Sequence, residues 1–176
     1  KKLAPIPSEN FPFHFQYGYH FDSVLIGNFL RRRAKEIGVE HIEATVQDVE
    51  QNSNGDIKSL KLNNNQTLSG DFFIDCSGFA SVLLQKTLKV PFLNFAENLF
   101  NDSAIAMPTE IEPNIPSETV STALTNGWAW KIPLTNRFGN GYVYSSKYCS
   151  PDEAETELRA HLGVLDSDIE ARHLKM

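Results

Sequence analysis

Asn54-Gly55 stands between two short segments, Val46 to Gln51 and Ile57 to Leu62, in which apolar and polar residues alternate. Asn-Gly takes the positive φ of a tight turn at little cost, so the chain is expected to reverse there with its flanks paired antiparallel. Asn63, Asn64 and Asn65 mark a second turn before Thr67-Leu68, which makes the region an antiparallel meander. Val39 to Ile42 reads as a further short β-prone run ahead of it.

The meander is flanked by two elements of different kinds. Upstream, Leu25, Ile26, Phe29, Leu30, Ala34 and Ile37 recur at helical spacing, with Asp22 as N-cap and Gly38 as the left-handed stop. Downstream, Asp71-Phe72-Phe73-Ile74-Asp75-Cys76 is short and mostly apolar, the pattern of a strand buried on both faces in a parallel sheet. A short helix from Ser81 to about Leu88 is expected next, closed by Pro91. Beyond it, residues 107 to 118 read as a long loop rich in Pro, Glu and Asn. Thr119 to Leu124, Trp128 to Leu134 and Gly141 to Ser146 read as strands, the last two joined by a hairpin at Asn136 to Asn140. Pro151-Asp152-Glu153 opens a helix running to about His161. Residues 1 to 16 carry three prolines and no period, and read as loop.

Composition narrows the partners. The formal net charge of -6 repels nucleic acid and anionic membrane, and the run Arg31, Arg32, Arg33 and Lys35 sits at a helix end where cations complement the dipole. No apolar stretch is long enough to span a bilayer, and no h-region follows the first residues. Cys76 and Cys149 are too far apart in sequence for a metal-spaced pair and form no disulfide framework, which reads as a reducing, cytoplasmic compartment. The five histidines show no metal-ligand spacing, so no metal site is expected.

Two constellations remain for chemistry. Asp75-Cys76-Ser77-Gly78-Phe79 ends the apolar run, where a glycine lets backbone approach a ligand; a plain strand and turn would look the same. In Trp128-Ala129-Trp130-Lys131-Ile132-Pro133, the two tryptophans project from one face of a strand and Lys131 from the other. That pair is either core packing or an aromatic wall beside a flat ligand. Ser77 has no visible His-Asp support, and His20, just ahead of a helix cap, reads as structural.

In order and approximate spacing, these pieces resemble the flavin-dependent tryptophan halogenase family. The stretches that carry the resemblance are Tyr17 to Asp22, Phe29 to Arg32, Phe72 to Phe79, Pro91-Phe92-Leu93, Asn101 to Ala104, Trp128 to Pro133, and Arg137-Phe138-Gly139 with Tyr142 to Ser146. The Trp-x-Trp-x-Ile-Pro motif is close to diagnostic, whereas Asp-Cys-Ser-Gly-Phe is shared with many flavoproteins.

The resemblance implies an α/β (α+β) fold, a portion of the FAD-binding two-dinucleotide-domain, hydroxylase-like architecture with a second antiparallel sheet. Residues 17–92 would be part of the FAD-binding domain and 93–176 part of the substrate-side sheet and helix. It implies use of reduced FAD from a separate flavin reductase, oxygen, and chloride or bromide to halogenate an aromatic substrate such as tryptophan; a homodimer is left open. By match, Val46 lies on the strand contacting the adenosine end of FAD, and Asp75, Ser77, Gly78 and Phe79 belong to a second FAD contact loop. Trp128 and Trp130, with Ile132 and Pro133, lie beside the flavin and keep substrate from reaching it directly, which separates halogenases from monooxygenases of the same fold. The family's Gly-x-Gly-x-x-Gly phosphate loop has no counterpart here. Its catalytic lysine and glutamate are expected on segments before residue 1 and after Met176, so no catalytic residue is assigned within the chain, and Lys131 is not given that role. The alternatives are an FAD monooxygenase and a non-catalytic truncated domain.

Overall fold

The computed structural model describes residues 18–176, so the expected loop over residues 1 to 16 and Tyr17 lie outside the described residues. The described residues divide into two compact units, Phe29–Asn94 and a second built from Phe95–Met176 with residues 18–28. The first helix, α1 (Ser23–Glu36), crosses the division. Asp22 Oδ1 accepts from the Val24 and Leu25 amides as the N-cap, and Gly38 at φ 91° ends the helix. The apolar stripe of α1 is largely uncovered: Val24, Leu25, Phe29 and Leu30 are all exposed.

In the Phe29–Asn94 unit, the Asn-Gly turn joins β1 (Val46–Gln51) to β2 (Ile57–Leu62), with Gly55 at φ 90°. The triple-asparagine turn, in which Asn65 takes the left-handed conformation, joins β2 to β3 (Thr67–Ser69). Asparagine tolerates that conformation better than most residues, and the turn is braced by Asn64 Oδ1, which accepts from the Gln66 amide. The antiparallel order is β1-β2-β3.

Two expected strands are absent from this unit. Val39 to Ile42 has no ladder partner. Asp71 to Cys76, expected to be a central parallel strand, forms no ladder, with Phe72 and Ile74 at 82% and 76% exposure. A parallel strand takes its hydrogen bonds and its cover from neighbours, and no described residue supplies them. The expected helix after it is a single 3-10 turn at Gly78–Ala80 followed by a π-helical segment, Val82–Thr87, in which Lys86 and Leu88 donate five residues back.

The other unit is a five-stranded antiparallel sheet of order β5-β6-β7-β4-β8. Its strands are β4 (Ser103–Thr109), β5 (Val120–Leu124), β6 (Gly127–Pro133), β7 (Phe138–Tyr144) and β8 (Arg172–Lys175). β4 corrects the reading of a loop from residue 107. It is nearly buried, and it carries Pro108 where β8 does not extend, since β8 pairs only Ser103 to Ala106. A proline lacks the donor a ladder needs, and here only one side of the strand is paired. The β6–β7 turn is also tighter than expected, with β7 beginning at Phe138 and Leu134 donating to the Arg137 carbonyl. α2 (Pro151–Leu162) starts on a capping box between Ser150 and Glu153 and stops at Gly163, φ 71°. Its Ala154 and Leu158 pack with Cys149 against Ile105, Met107, Ala129, Tyr142 and Tyr144, and this is the core.

Candidate functional site

Period-two alternation puts Trp128, Trp130 and Ile132 on one face of β6 and Ala129, Lys131 and Pro133 on the other. The α2 side takes Ala129 into the core. The tryptophans are on the side away from that core: Trp128 is 42% exposed and Trp130 half-buried. Their ring centroids lie 6.0 Å apart with planes tilted by 55°. The pair is thus a partly open aromatic surface, and core packing does not account for Trp128.

Beside Trp130 opens a groove of about 780 Å³, lined also by Pro108, Arg137, Gly139, Asn140 and Arg172. Arg137 is held by an ion pair with Asp22 at 3.1 Å, and that contact helps keep the Asp22 carboxyl below the usual range, after the larger effect of the Leu25 amide. Asn140 is buried, donating from Nδ2 to the Met107 carbonyl and to Thr109 Oγ1. Its Oδ1 has no hydrogen-bond partner among the described residues.

Lys131 is committed elsewhere. Its ammonium pairs with Glu112 at 2.6 Å and sits 4.2 Å from the centre of the Phe138 ring. Its ammonium is thus bonded on the face of β6 opposite the tryptophans. His20 Nε2 lies 3.0 Å from Thr119 Oγ1, in keeping with a structural role.

The second constellation lies in the Phe29–Asn94 unit. Asp75 Oδ1 accepts from the Ser77 amide and hydroxyl, and Oδ2 accepts from the Leu83 and Leu84 amides. These bonds, led by the Ser77 hydroxyl, hold the carboxyl down to about 2. Ser77 Oγ in turn accepts from the Val82 amide. Both side chains therefore bind the loop itself. What they leave facing outward is Gly78, at φ 60° with open space where a Cβ would sit, and the Phe79 ring, 80% exposed. An open backbone beside an exposed ring fits the edge of a dinucleotide site. Val46 opens β1 opposite Leu62 and is half-buried. Among the described residues no group of His, Cys, Asp and Glu could hold a metal ion, and Cys76 and Cys149 are free thiols.

Arg137 and Gly139 line the groove beside Trp130 but were not singled out as site residues in the sequence. The available signal was the glycine pair at positions 139 and 141, which bares one face of β7 opposite Ile132 and Trp130.

A family model described as tryptophan halogenase matches residues 1–176. The tryptophan 6-halogenase SttH of Streptomyces toxytricini is 42% identical over 92% of this chain and 32% of its own length. The tryptophan 7-halogenase RebH of Lentzea aerocolonigenes is 43% identical over 80% of this chain and 27% of its own. Among solved structures, BrvH, a flavin-dependent halogenase from Brevundimonas sp. BAL3, superposes with a TM-score of 0.87 at 34% identity, covering 97% of this chain and 36% of that one. The chain thus spans about a third of the length of the curated relatives it matches.

Proposed function

This chain belongs to the tryptophan halogenase family, and we propose that the protein it forms part of halogenates an aromatic substrate, tryptophan in the first instance, using reduced FAD, oxygen and chloride or bromide. Residues 17–92 belong to the FAD-binding part and 93–176 to the substrate side. FAD would be reduced by a separate flavin reductase and, when bound, would supply the oxidising chemistry that activates the halide. Gly78 and Phe79 line its site, Asp75 and Ser77 hold their loop in shape, and Val46 contributes at the adenosine end. A reducing, cytoplasmic setting suits two free thiols, of which Cys76 is exposed.

The observation that carries the reading is the Trp128–Trp130 pair, two adjacent indoles on the face of the sheet away from its core. Indole offers no proton donor of use near neutral pH, only an N–H hydrogen bond. What it offers is bulk and rigidity, which here block an aromatic substrate from the flavin. Pro133, with its fixed φ, limits how far the end of β6 can swing. The exposed apolar side chains of α1, with Phe72 and Ile74, suit a covered place in a protein longer than this chain.

The test supplies the full-length protein with a flavin reductase, a nicotinamide reductant, oxygen, bromide and tryptophan, and reads products by mass. Brominated tryptophan is expected. Hydroxylated tryptophan independent of halide would favour the monooxygenase reading, and neither product would overturn the proposal for this substrate.

A further inference from the structure

Gly141 is a glycine without a backbone reason to be one. It lies in mid-strand on β7, paired on one side with Trp130 of β6 and on the other with Ala106 of β4. Positive φ occurs at other glycines of this chain, namely Gly38, Gly55, Gly78 and Gly163. In a regular ladder a glycine weakens the strand and leaves nothing to pack, so its presence points to something lying close over the backbone.

That something is Trp130. A Cβ built on Gly141 would fall well inside van der Waals contact distance of Trp130 Cζ2 and Cη2, and would lie 2.6 Å from Cε2. The benzo edge of the indole therefore rests on the bare backbone of β7. Gly139 shares this face and provides the contrast, for a Cβ there would meet only Arg137 Nη1, at 3.4 Å, and the Ile132 carbonyl oxygen, at 4.0 Å. The cross-strand row through Trp130 runs Ser121, Trp130, Gly141, Ala106, and each neighbour of the indole is small.

We propose that Gly141 is a positioning residue: its missing side chain lets the Trp130 indole lie down along the sheet, which fixes the angle and spacing of the Trp128–Trp130 wall. A methyl group at position 141 lifts the ring and opens the wall. The functional half of this inference rests on the reading that the tryptophan pair screens the flavin from the substrate.

The test uses the full-length protein and compares the wild type with Gly141→Ala, Trp130→Phe and the double variant. Two indoles 6.0 Å apart couple their transitions, so circular dichroism reports the geometry of the pair directly. Gly141→Ala should change or abolish the coupled tryptophan signal and lower the melting temperature. Phenylalanine lacks the benzo atoms that collide, so the double variant should melt close to Trp130→Phe alone. Halogenated product per reduced flavin consumed should fall severalfold in Gly141→Ala, with peroxide rising in its place. If Gly141→Ala does not fold, folding of the double variant supports the proposal and its failure to fold overturns it. An unchanged tryptophan signal in folded Gly141→Ala, or a melting loss that Trp130→Phe does not relieve, overturns the packing relationship. A displaced ring with unchanged product yield overturns the functional half. A displaced ring in a protein whose wild type halogenates nothing upholds the placement and overturns the screening reading.

Discussion

Tyr142 Oη donates to Glu157 Oε2 at 2.7 Å, tying the middle of β7 to α2. The other carboxylate oxygen accepts from the Thr125 amide at 2.8 Å, and the phenol oxygen accepts from the Asn126 amide at 3.0 Å. One buried tyrosine and one glutamate thus hold the β5–β6 turn, the sheet and the helix together beneath the tryptophan-bearing strand.

Tyr142→Phe keeps the ring and removes the oxygen. The Asn126 amide and a carboxylate oxygen then lose their partner, which should cost about 1–3 kcal/mol of stability by denaturant titration. Burial first, and then the Glu157 carboxylate, raise the phenol above its ordinary value of 10.0. A raised folded value gives stability that is full below the unfolded value and is lost as pH rises towards the folded one. The wild type should therefore lose stability above about pH 10, and Tyr142→Phe should lose less of it. Tyr144, also raised by burial, accounts for part of the remainder. Identical alkaline profiles in the two proteins would count against this network.

Phe138 and Trp128 are both large aromatics of this sheet with opposite surroundings. Phe138 is fully buried while Trp128 is 42% exposed. Phe138→Ala should cost about 3–5 kcal/mol, the range for a large cavity in a core. Trp128→Ala should cost less than about 2 kcal/mol, because much of the indole already meets water. Equal losses in chemical denaturation would return Trp128 to the core and weaken the wall.

Gly78 takes φ 60° with nothing near the place of a Cβ. Gly78→Ala therefore meets backbone strain of about 1–2 kcal/mol and no steric collision within the fold. If FAD approaches this backbone, affinity for FAD should fall by about tenfold or more, equivalent to at least 1.4 kcal/mol. Fluorescence titration of the full-length protein alongside melting would show it, and unchanged FAD affinity in the folded variant would remove Gly78 from the cofactor site.

Asp75 caps the π-helical segment through two backbone amides, Leu83 and Leu84. Its folded value, lowered from 3.8 to about 2, means that its contribution is present above 3.8 and is lost as pH falls through about 2. Hydrogen exchange at Leu83 and Leu84 should accelerate, beyond its intrinsic pH trend, across that acid window. Asp75→Asn should exchange faster at neutral pH and show no such step. A wild-type turn that stays protected below the window would contradict the capping role.

Much of the architecture is written in local signals. Asp22 and Gly38 bracket α1, Asn54-Gly55 and Asn63 to Asn65 reverse the meander, and Pro151 with the Ser150–Glu153 box starts α2. Each acts within a few residues, through φ preference or a side-chain cap, so the sequence alone determined it. The shared face of Trp128 and Trp130 follows just as directly from the two-residue period of a strand. Tertiary structure decided what no window contains. β4 hides behind Pro108 and small residues, and becomes a strand only because β7 pairs with all seven of its positions. Phe72 to Cys76 carries the composition of a buried strand yet forms none, because ladder hydrogen bonds belong to the partner as much as to the segment. The glycine at position 141 has a meaning only across the ladder, where it lies under the indole of Trp130, a residue eleven positions earlier in sequence and directly opposite in space.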